Sequence, residues 1–388
     1  MHEIICERLD DFGRGVGHIN GKVIFIPDFL PSEKALVNVI LDKKRFMMGE
    51  ITELKTKSKD RVCFDCPYDN CGCSLKNYDY EKSLQYKKNK VEGILKKFAN
   101  VDFNIKEIIP CLNLPSYRNK ITLKVRNGKL GYFKNNSNEL IEIDKCLIAK
   151  NEINEVIKVL KEEELSKVKE IVIKAMDEVM IIIYGIMDIN VLKNYADSIY
   201  MNDNLVYGKE KILNHILDYK FLVSKDSFFQ VNNEVTKKLY SKIVEFVGKG
   251  EALLDLYCGT GTISLCLSKN FKKVIGVEIN KEAIECADEN KELNKITNVN
   301  FICGDANKID SKADVVIVDP ARAGIKEEGI NNILSIKPNR IVYVSCNPVT
   351  LARDLKQISK LYEVKDIVLY DMFPLTHHVE CVCLLELK

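Results

Sequence analysis

Cys346 stands in the segment Ser345 to Asp354, SCNPVTLARD, directly after the apolar run Arg340 to Val344 (RIVYV), with Pro348 two residues beyond it. The run reads as a β-strand, and a proline cannot donate to the ladder that would extend it, so the strand stops near Ser345. A cysteine at the carboxyl end of such a strand lies on the edge where open α/β sheets place their ligands. Its thiolate would be a nucleophile. On these residues alone a protease, a redox sensor and plain packing all stay open.

A second group of residues points to a nucleoside ligand. The run Ala252 to Tyr257 leads into Cys258-Gly259-Thr260-Gly261-Thr262 and then the apolar segment ISLCLSKN. Glycines at a strand-to-helix turn let the backbone approach a ligand closely. Glu278 ends the next strand, where a carboxylate can accept from both ribose hydroxyls, and Asp305 ends the one after. The third glycine of the dinucleotide fingerprint is missing, so a smaller nucleoside, S-adenosylmethionine, fits better.

The cysteines form a third group. Of 14, four crowd into Cys63 to Cys73 and the rest are scattered through apolar runs. In a chain without an export signal, thiols are the expected state, and a tight cluster reads as metal or iron–sulfur ligation. The start, MHEIICERLDDFGRG, has no charged segment followed by a long apolar one, and no run of about 18 apolar residues occurs. The expectation is a cytoplasmic protein without membrane spans.

The elements that must position these residues follow from the pattern. Residues 1 to 56 alternate short β-rich runs with glycine turns, which predicts a small barrel whose loops carry Arg14, His18, Lys22, Lys43, Lys44 and Arg45. Glu81 to Phe98 has apolar residues at helical spacing. ITLKVRNGKLGYF (121 to 133) alternates around Asn127-Gly128 and predicts a hairpin. Residues 150 to 225 read as a helix, two strands and irregular sequence, giving an α+β middle region over 57 to 225. From 226 to 388 strands and helices alternate, which predicts a mostly parallel, Rossmann-like sheet.

Charge is uneven. Residues 1 to 150 hold 27 Lys+Arg against 20 Asp+Glu, and the remainder 31 against 36; between 51 and 134, 18 basic residues face 9 acidic ones. Such a front end suits a polyanion, although a solvated lysine-rich surface has the same composition.

Six segments together resemble the RNA uracil-5-methyltransferases, specifically the 23S rRNA branch with a TRAM domain and an iron–sulfur cluster: FGRGVGHI (12 to 19), FFQVN (228 to 232), DLYCGTGTISLCL (255 to 267), DPARAG (319 to 324), SCNPVTLARDL (345 to 355) and DMFPLTHHVE (371 to 380). The resemblance implies a multidomain chain: an OB-like TRAM barrel over 1 to 56, an α+β domain holding the cluster over 57 to 225, and a class I methyltransferase domain over 226 to 388. It implies Cys346 as the nucleophile toward uracil carbon 6 and Glu380 as the base for the carbon 5 proton, in preference to His377 or His378.

It places Gln230, Tyr257, Thr262, Glu278, Asp305 and Asp319 about S-adenosylmethionine, with Asp319 also at the uracil edge; a helix cap is the plainer role for Asp319. It implies Cys66, Cys71, Cys73 and Cys146 as [4Fe-4S] ligands, a monomer, and 23S rRNA as partner. tRNA is the nearest alternative substrate; an assembly factor without catalysis and a cytosine-5 methyltransferase are more distant ones. Two features depart from the family: DPAR stands where DPPR is usual, and Cys66-x4-Cys71-x1-Cys73 is one residue shorter in each interval, with Cys63 as a fifth candidate.

Overall fold

Alternating apolar residues make strands wherever one face can be buried, and the first 56 residues do little else. The computed structural model describes residues 1–69, 71–135, 137–309 and 311–388. They divide into two compact units. One comprises Met1–Val91, Phe133–Ile141 and Phe373–His378; the other comprises Glu92–Tyr132, Glu142–Met372 and Val379–Lys388.

In the first unit, β1 (His2–Ile5), β2 (Arg8–Leu9), β3 (Gly15–Ile19), β4 (Lys22–Ile26), β5 (Lys34–Asp42) and β6 (Met47–Thr56) form one sheet in the order β1-β5-β6-β4-β3-β2. Its two edges, β1 and β2, are successive halves of one stretch: β1 pairs with β5, and β2 with β3. Three register shifts between β5 and β6 bend these long strands. Ile4, Cys6, Ile24, Ile26, Phe29, Ala35, Val37 and Met47 fill the interior, and a Cβ at Gly15 would meet the Phe29 carbonyl at 2.3 Å. The boundary between the units falls in α1 (Tyr80–Ile94). A π-helical turn, Leu95–Ala99, completes the expected helix, and Asn100 ends it at φ 55°.

The second unit holds two larger sheets. β7 (Glu107–Ile109) precedes the hairpin of β8 (Lys120–Arg126) and β9 (Lys129–Phe133), where Asn127 and Gly128 take φ 53° and 73°, as the Asn-Gly turn predicts. β10 (Leu140–Glu142), α2 (Asn151–Leu160), β11 (Val168–Ala175), β12 (Val179–Gly185), β13 (Ser198–Met201), β14 (Asn204–Gly208), β15 (Ile212–Ile216) and β16 (Tyr219–Val223) follow. β8 to β14 build a sheet in the order β10-β9-β8-β11-β12-β13-β14, and β15 and β16 pair alone. Four strands therefore stand where the sequence reads as irregular, because strands of four or five residues are too short to show a period, and β14 (NLVYG) is exposed on both faces.

The rest alternates: α3 (Asn233–Val247), β17 (Gly250–Leu256), α4 (Thr262–Cys266), β18 (Phe271–Glu278), α5 (Lys281–Leu293), β19 (Val299–Cys303), β20 (Val315–Val318), α6 (Glu327–Ile336), β21 (Arg340–Ser345), α7 (Pro348–Ile358), β22 (Tyr362–Tyr370) and β23 (Glu380–Leu387). The sheet order is β19-β18-β17-β20-β21-β23-β22-β7. The first five strands are parallel, and β23 is antiparallel to both neighbours. The order reverses at β17 and β20, the switch point at which such sheets bind ligands. β7, more than 200 residues from β22 in sequence, extends this sheet as its last strand.

Candidate active site

Strand register brings the chemistry together. Ser345 at the end of β21 pairs with Cys381 at the start of β23. The next residues outward, Cys346 and Glu380, therefore stand opposite each other on the carboxyl edge. On the other side of β21, Val318 pairs with Tyr343, so Asp319 leaves β20 toward the same edge.

Burial raises the pKa of all three groups, and neighbouring carboxyls add to it. Burial pushes the Cys346 thiol up to about 11, aided by the charges of Glu380 and Asp319 and opposed by Arg322. Glu380 is 2% exposed, and burial first, then Asp319, holds its carboxyl well above the usual range against the pull of Arg322. Asp319 is pushed up to about 7 by burial and by Asp255. The resting site favours a thiol beside a protonated carboxyl, with Arg322 the cation that works toward ionisation.

The rest of SCNPVTLARD holds the DPARAG loop. Asn347 caps α7 by accepting from Val349 N and donates its Nδ2 to the Arg322 carbonyl at 2.9 Å. Arg353 Nη2 donates to the carbonyls of Ala323 and Ile325, both at 3.0 Å. Buried Asp354 accepts from Ile325 N at 2.8 Å and from the Tyr343 hydroxyl at 2.7 Å. At Gly324, with φ 73°, a Cβ would lie 2.6 Å from Arg353 Nη2 and from Asp354 Oδ2. Asn347, Arg353 and Asp354 thus connect the nucleophile segment to the loop of Asp319 and Arg322. Sequence reading gave none of these four polar residues, Arg322 included, a site role; the available signal was their place inside motifs already singled out.

The nucleoside end lies at the carboxyl edge of β17 to β19. Tyr257 sits at φ 66° and donates its hydroxyl to Asn307 Oδ1 at 3.1 Å. Gly259 N donates to Glu278 at 3.3 Å, and the other Glu278 oxygen accepts from Asn280 N. A Cβ on Gly261 or Gly276 would meet the Phe301 ring at 2.4 or 2.6 Å, which explains both glycines. Asp255, unsingled by sequence reading, is fully buried, bonds Ser264 through one oxygen at 2.5 Å and, among the described residues, leaves Oδ1 without a partner. An orphaned buried oxygen at the switch point, a strand-end carboxylate and a close-packed glycine turn fit a cationic nucleoside such as S-adenosylmethionine.

Thr262 and Asp305 are already engaged. The Thr262 hydroxyl lies 2.8 Å from that of Tyr240. Asp305 caps the turn Ala306–Lys308 and accepts from Asn307 Nδ2 at 2.6 Å. The FFQVN segment is fixed at both ends: Lys174, 1% exposed, donates to the carbonyls of Ser224, Lys225 and Ser227, and Asn119 Nδ2 donates to the Gln230 carbonyl at 3.0 Å. Burial pushes Lys174 down to about 7.

The cysteine segment is less organised. Cys66 and Cys71 both direct Sγ at the Tyr68 carbonyl, at 4.0 and 3.8 Å, and Lys76 Nζ donates to the carbonyls of Cys66 and Tyr68. Cys66, Cys71, Cys73 and Cys146 are half-buried thiols outside any disulfide among the described residues, and Cys63 is exposed. Among the described residues, no three His, Cys, Asp or Glu side chains stand in metal-holding geometry. The arrangement as it stands does not fit a cluster.

Comparison with known proteins gives the family. The family model described as tRNA (Uracil-5-)-methyltransferase matches residues 168–313 and 305–388. A protein of Halalkalibacterium halodurans described as an uncharacterized RNA methyltransferase is 36% identical, over 100% of this chain and 97% of its own length. One from Clostridium acetobutylicum, similarly described, is 35% identical over 99% and 96%. The crystal structure of Pyrococcus abyssi tRNA (uracil-54, C5)-methyltransferase in complex with S-adenosyl-L-homocysteine matches with a TM-score of 0.84 and 29% identity, covering 99% of this chain and 100% of that one. With a family model matching more than half of it and relatives along its full length, this chain belongs to the RNA uracil-5-methyltransferase family.

Proposed function

We propose that the protein methylates carbon 5 of uridine in 23S rRNA through a covalent Cys346 adduct at carbon 6, with Glu380 as the base. The observation that carries the mechanism is the register that sets Cys346 against Glu380. Carbon 5 of uracil is a poor nucleophile. Thiolate addition to carbon 6 forms a C–S bond and moves the double-bond electrons into an enolate centred on carbon 5. S-adenosylmethionine, when bound, supplies an electrophilic methyl group on a sulfonium.

Glu380 then takes the carbon 5 proton, the electrons re-form the 5,6 double bond, and the Cys346 thiolate leaves. Glu380 must be ionised to act here, and once ionised a buried carboxylate of raised pKa is a strong base for that step. In this reading Asp319 bonds the uracil edge, and Arg322 favours the thiolate. Gln230, Tyr257, Thr262, Glu278 and Asp305 surround the cofactor in this reading, with Thr262 and Asp305 acting through their bonds to Tyr240 and Asn307.

The target uridine leaves its stack to reach Cys346, as bases must for such chemistry. The basic first third grips backbone, residues 1–56 serve as a TRAM barrel, 57–225 as the middle domain and 226–388 as the methyltransferase domain of a cytoplasmic monomer. We keep the [4Fe-4S] reading for Cys66, Cys71, Cys73 and Cys146 on donor chemistry alone, with the segment reshaping on binding.

A tRNA substrate is the second reading, favoured by the P. abyssi enzyme. That enzyme's match covers 99% of this chain, so the overall architecture does not disfavour tRNA. Methyl-labelled cofactor with unmodified 23S rRNA and tRNA transcripts decides. Transfer to 23S rRNA is expected; transfer to tRNA alone would put tRNA in its place.

A further inference from the structure

The first unit carries an unbroken file of ring and cation contacts. Within the β5–β6 turn, which presents Lys43, Lys44 and Arg45 exposed, Lys43 N donates to the Phe46 carbonyl at 2.9 Å. Phe46 packs on Phe25 at 6.1 Å, the Arg14 guanidinium lies 4.6 Å from the Phe25 centroid and 5.1 Å from that of Phe12, and Phe12 meets His377 edge-on at 5.7 Å. His377 and His378 lie 4.1 Å apart, and His378 meets Phe373 at 5.8 Å. Phe12 is 58% exposed, unusual for a phenylalanine that already has two aromatic or cationic neighbours.

The file is held firmly. Asp10 fixes Arg14 through both Nε (2.8 Å) and Nη2 (2.6 Å). Lys90 Nζ donates to the carbonyls of Asp11 and His377, and Lys87 Nζ to that of Phe373. A pre-set row of π faces with a bare phenylalanine is what stacks unpaired bases, and a cluster of exposed cations at one end is what meets phosphates. Lys22 already pairs with Asp42, so the charge of the turn rests on Lys43, Lys44 and Arg45. Asp11 beside Phe12 works against an anion there, so contact at that end is with a base face.

We propose that Phe12, Arg14 and Phe25 form a stacking track for single-stranded RNA, entered at the Lys43–Arg45 turn and running to the His377–His378 loop that precedes Glu380 in sequence. The inference rests on the RNA substrate of the proposed function but adds where and in what form the strand is held: unpaired, by base faces rather than by duplex shape.

The test uses the full chain and a fluorescein-labelled oligouridylate, titrated at several salt concentrations. Phe12→Ala should weaken binding about tenfold with the salt slope unchanged, and Phe12→Trp should restore it. Lys43→Ala/Lys44→Ala/Arg45→Ala should flatten the slope by about 2. S-adenosyl-L-homocysteine affinity should stay constant in all variants, which reports that each is folded. Equal binding by wild type and Phe12→Ala, or weaker binding for single strands than for duplex, would overturn the track. Failure of the wild type to methylate any RNA while Phe12 still governs oligouridylate binding would instead overturn the methylation reading and leave the track standing.

Discussion

The sheet edge of Cys346 and Glu380 and the cysteine segment place their side chains in opposite ways. Asp319, Cys346 and Glu380 are spread over 62 positions of sequence, yet parallel pairing of β20 with β21 and antiparallel pairing of β21 with β23 deliver them to one edge. Cys63, Cys66, Cys71 and Cys73 lie within eleven residues, and among the described residues they form no metal-holding group. A hydrogen-bonded ladder fixes which residues face each other to within one position. A short loop between cysteines has no such ruler, and its thiols point where local backbone bonds send them.

The largest break in this comparison is Cys346→Ala, which should abolish methyl transfer, by at least about 10⁴-fold. It should also abolish the adduct that wild type forms with RNA containing 5-fluorouridine, seen as a band shifted on a denaturing gel; a surviving adduct would move the nucleophile elsewhere. Next comes Glu380→Gln. It should slow turnover about 10²- to 10⁴-fold while adduct on ordinary RNA accumulates, because addition proceeds and proton removal does not. Loss of the adduct together with turnover would make Glu380 a structural residue.

A smaller effect follows from charge. The thiolate of a cysteine at about 11 grows as pH rises, and deprotonation of Glu380 runs in the same direction. Below pH 9, kcat/KM should therefore increase with pH by roughly tenfold per unit. A flat profile between pH 7 and 9 would show that bound RNA has already drawn the proton away.

Asp354→Asn tests whether the ladder alone suffices. Turning one carboxylate oxygen into an amide NH2 leaves either Tyr343 and Ile325 or Arg353 without its acceptor and removes the charge, which should cost about 2–3 kcal/mol in urea unfolding and lower kcat more than it raises KM for the cofactor. Unchanged kinetics would confine Asp354 to stability. Smallest of all is the response to iron. Protein purified without oxygen should hold about four iron atoms per chain, and chelation should expose residues 63–76 to protease while sparing the Cys346 adduct. Absence of iron would remove the cluster from the proposed function.

Much of this was legible in the chain itself. The Asn-Gly hairpin, the GxG turn and the strand before Cys346 appear where the pattern puts them, since each depends on neighbours within a few residues. β7 was not legible: three residues, Glu107–Ile109, become a strand only because β22 offers them an edge. Nor were Asp255, Arg322 and Asp354, whose importance lies in burial and in partners many positions away.

Residue type and spacing are enough for the class of the C-terminal half, the ordered motifs and hence the family, because they state what chemistry is available. That Cys346 faces Glu380, that Asp319 joins them, and that the DPARAG loop hangs from Arg353 and Asp354 follow from the folded chain alone. Pairing register and the cost of leaving buried polar groups unsatisfied act between residues that sequence spacing does not relate.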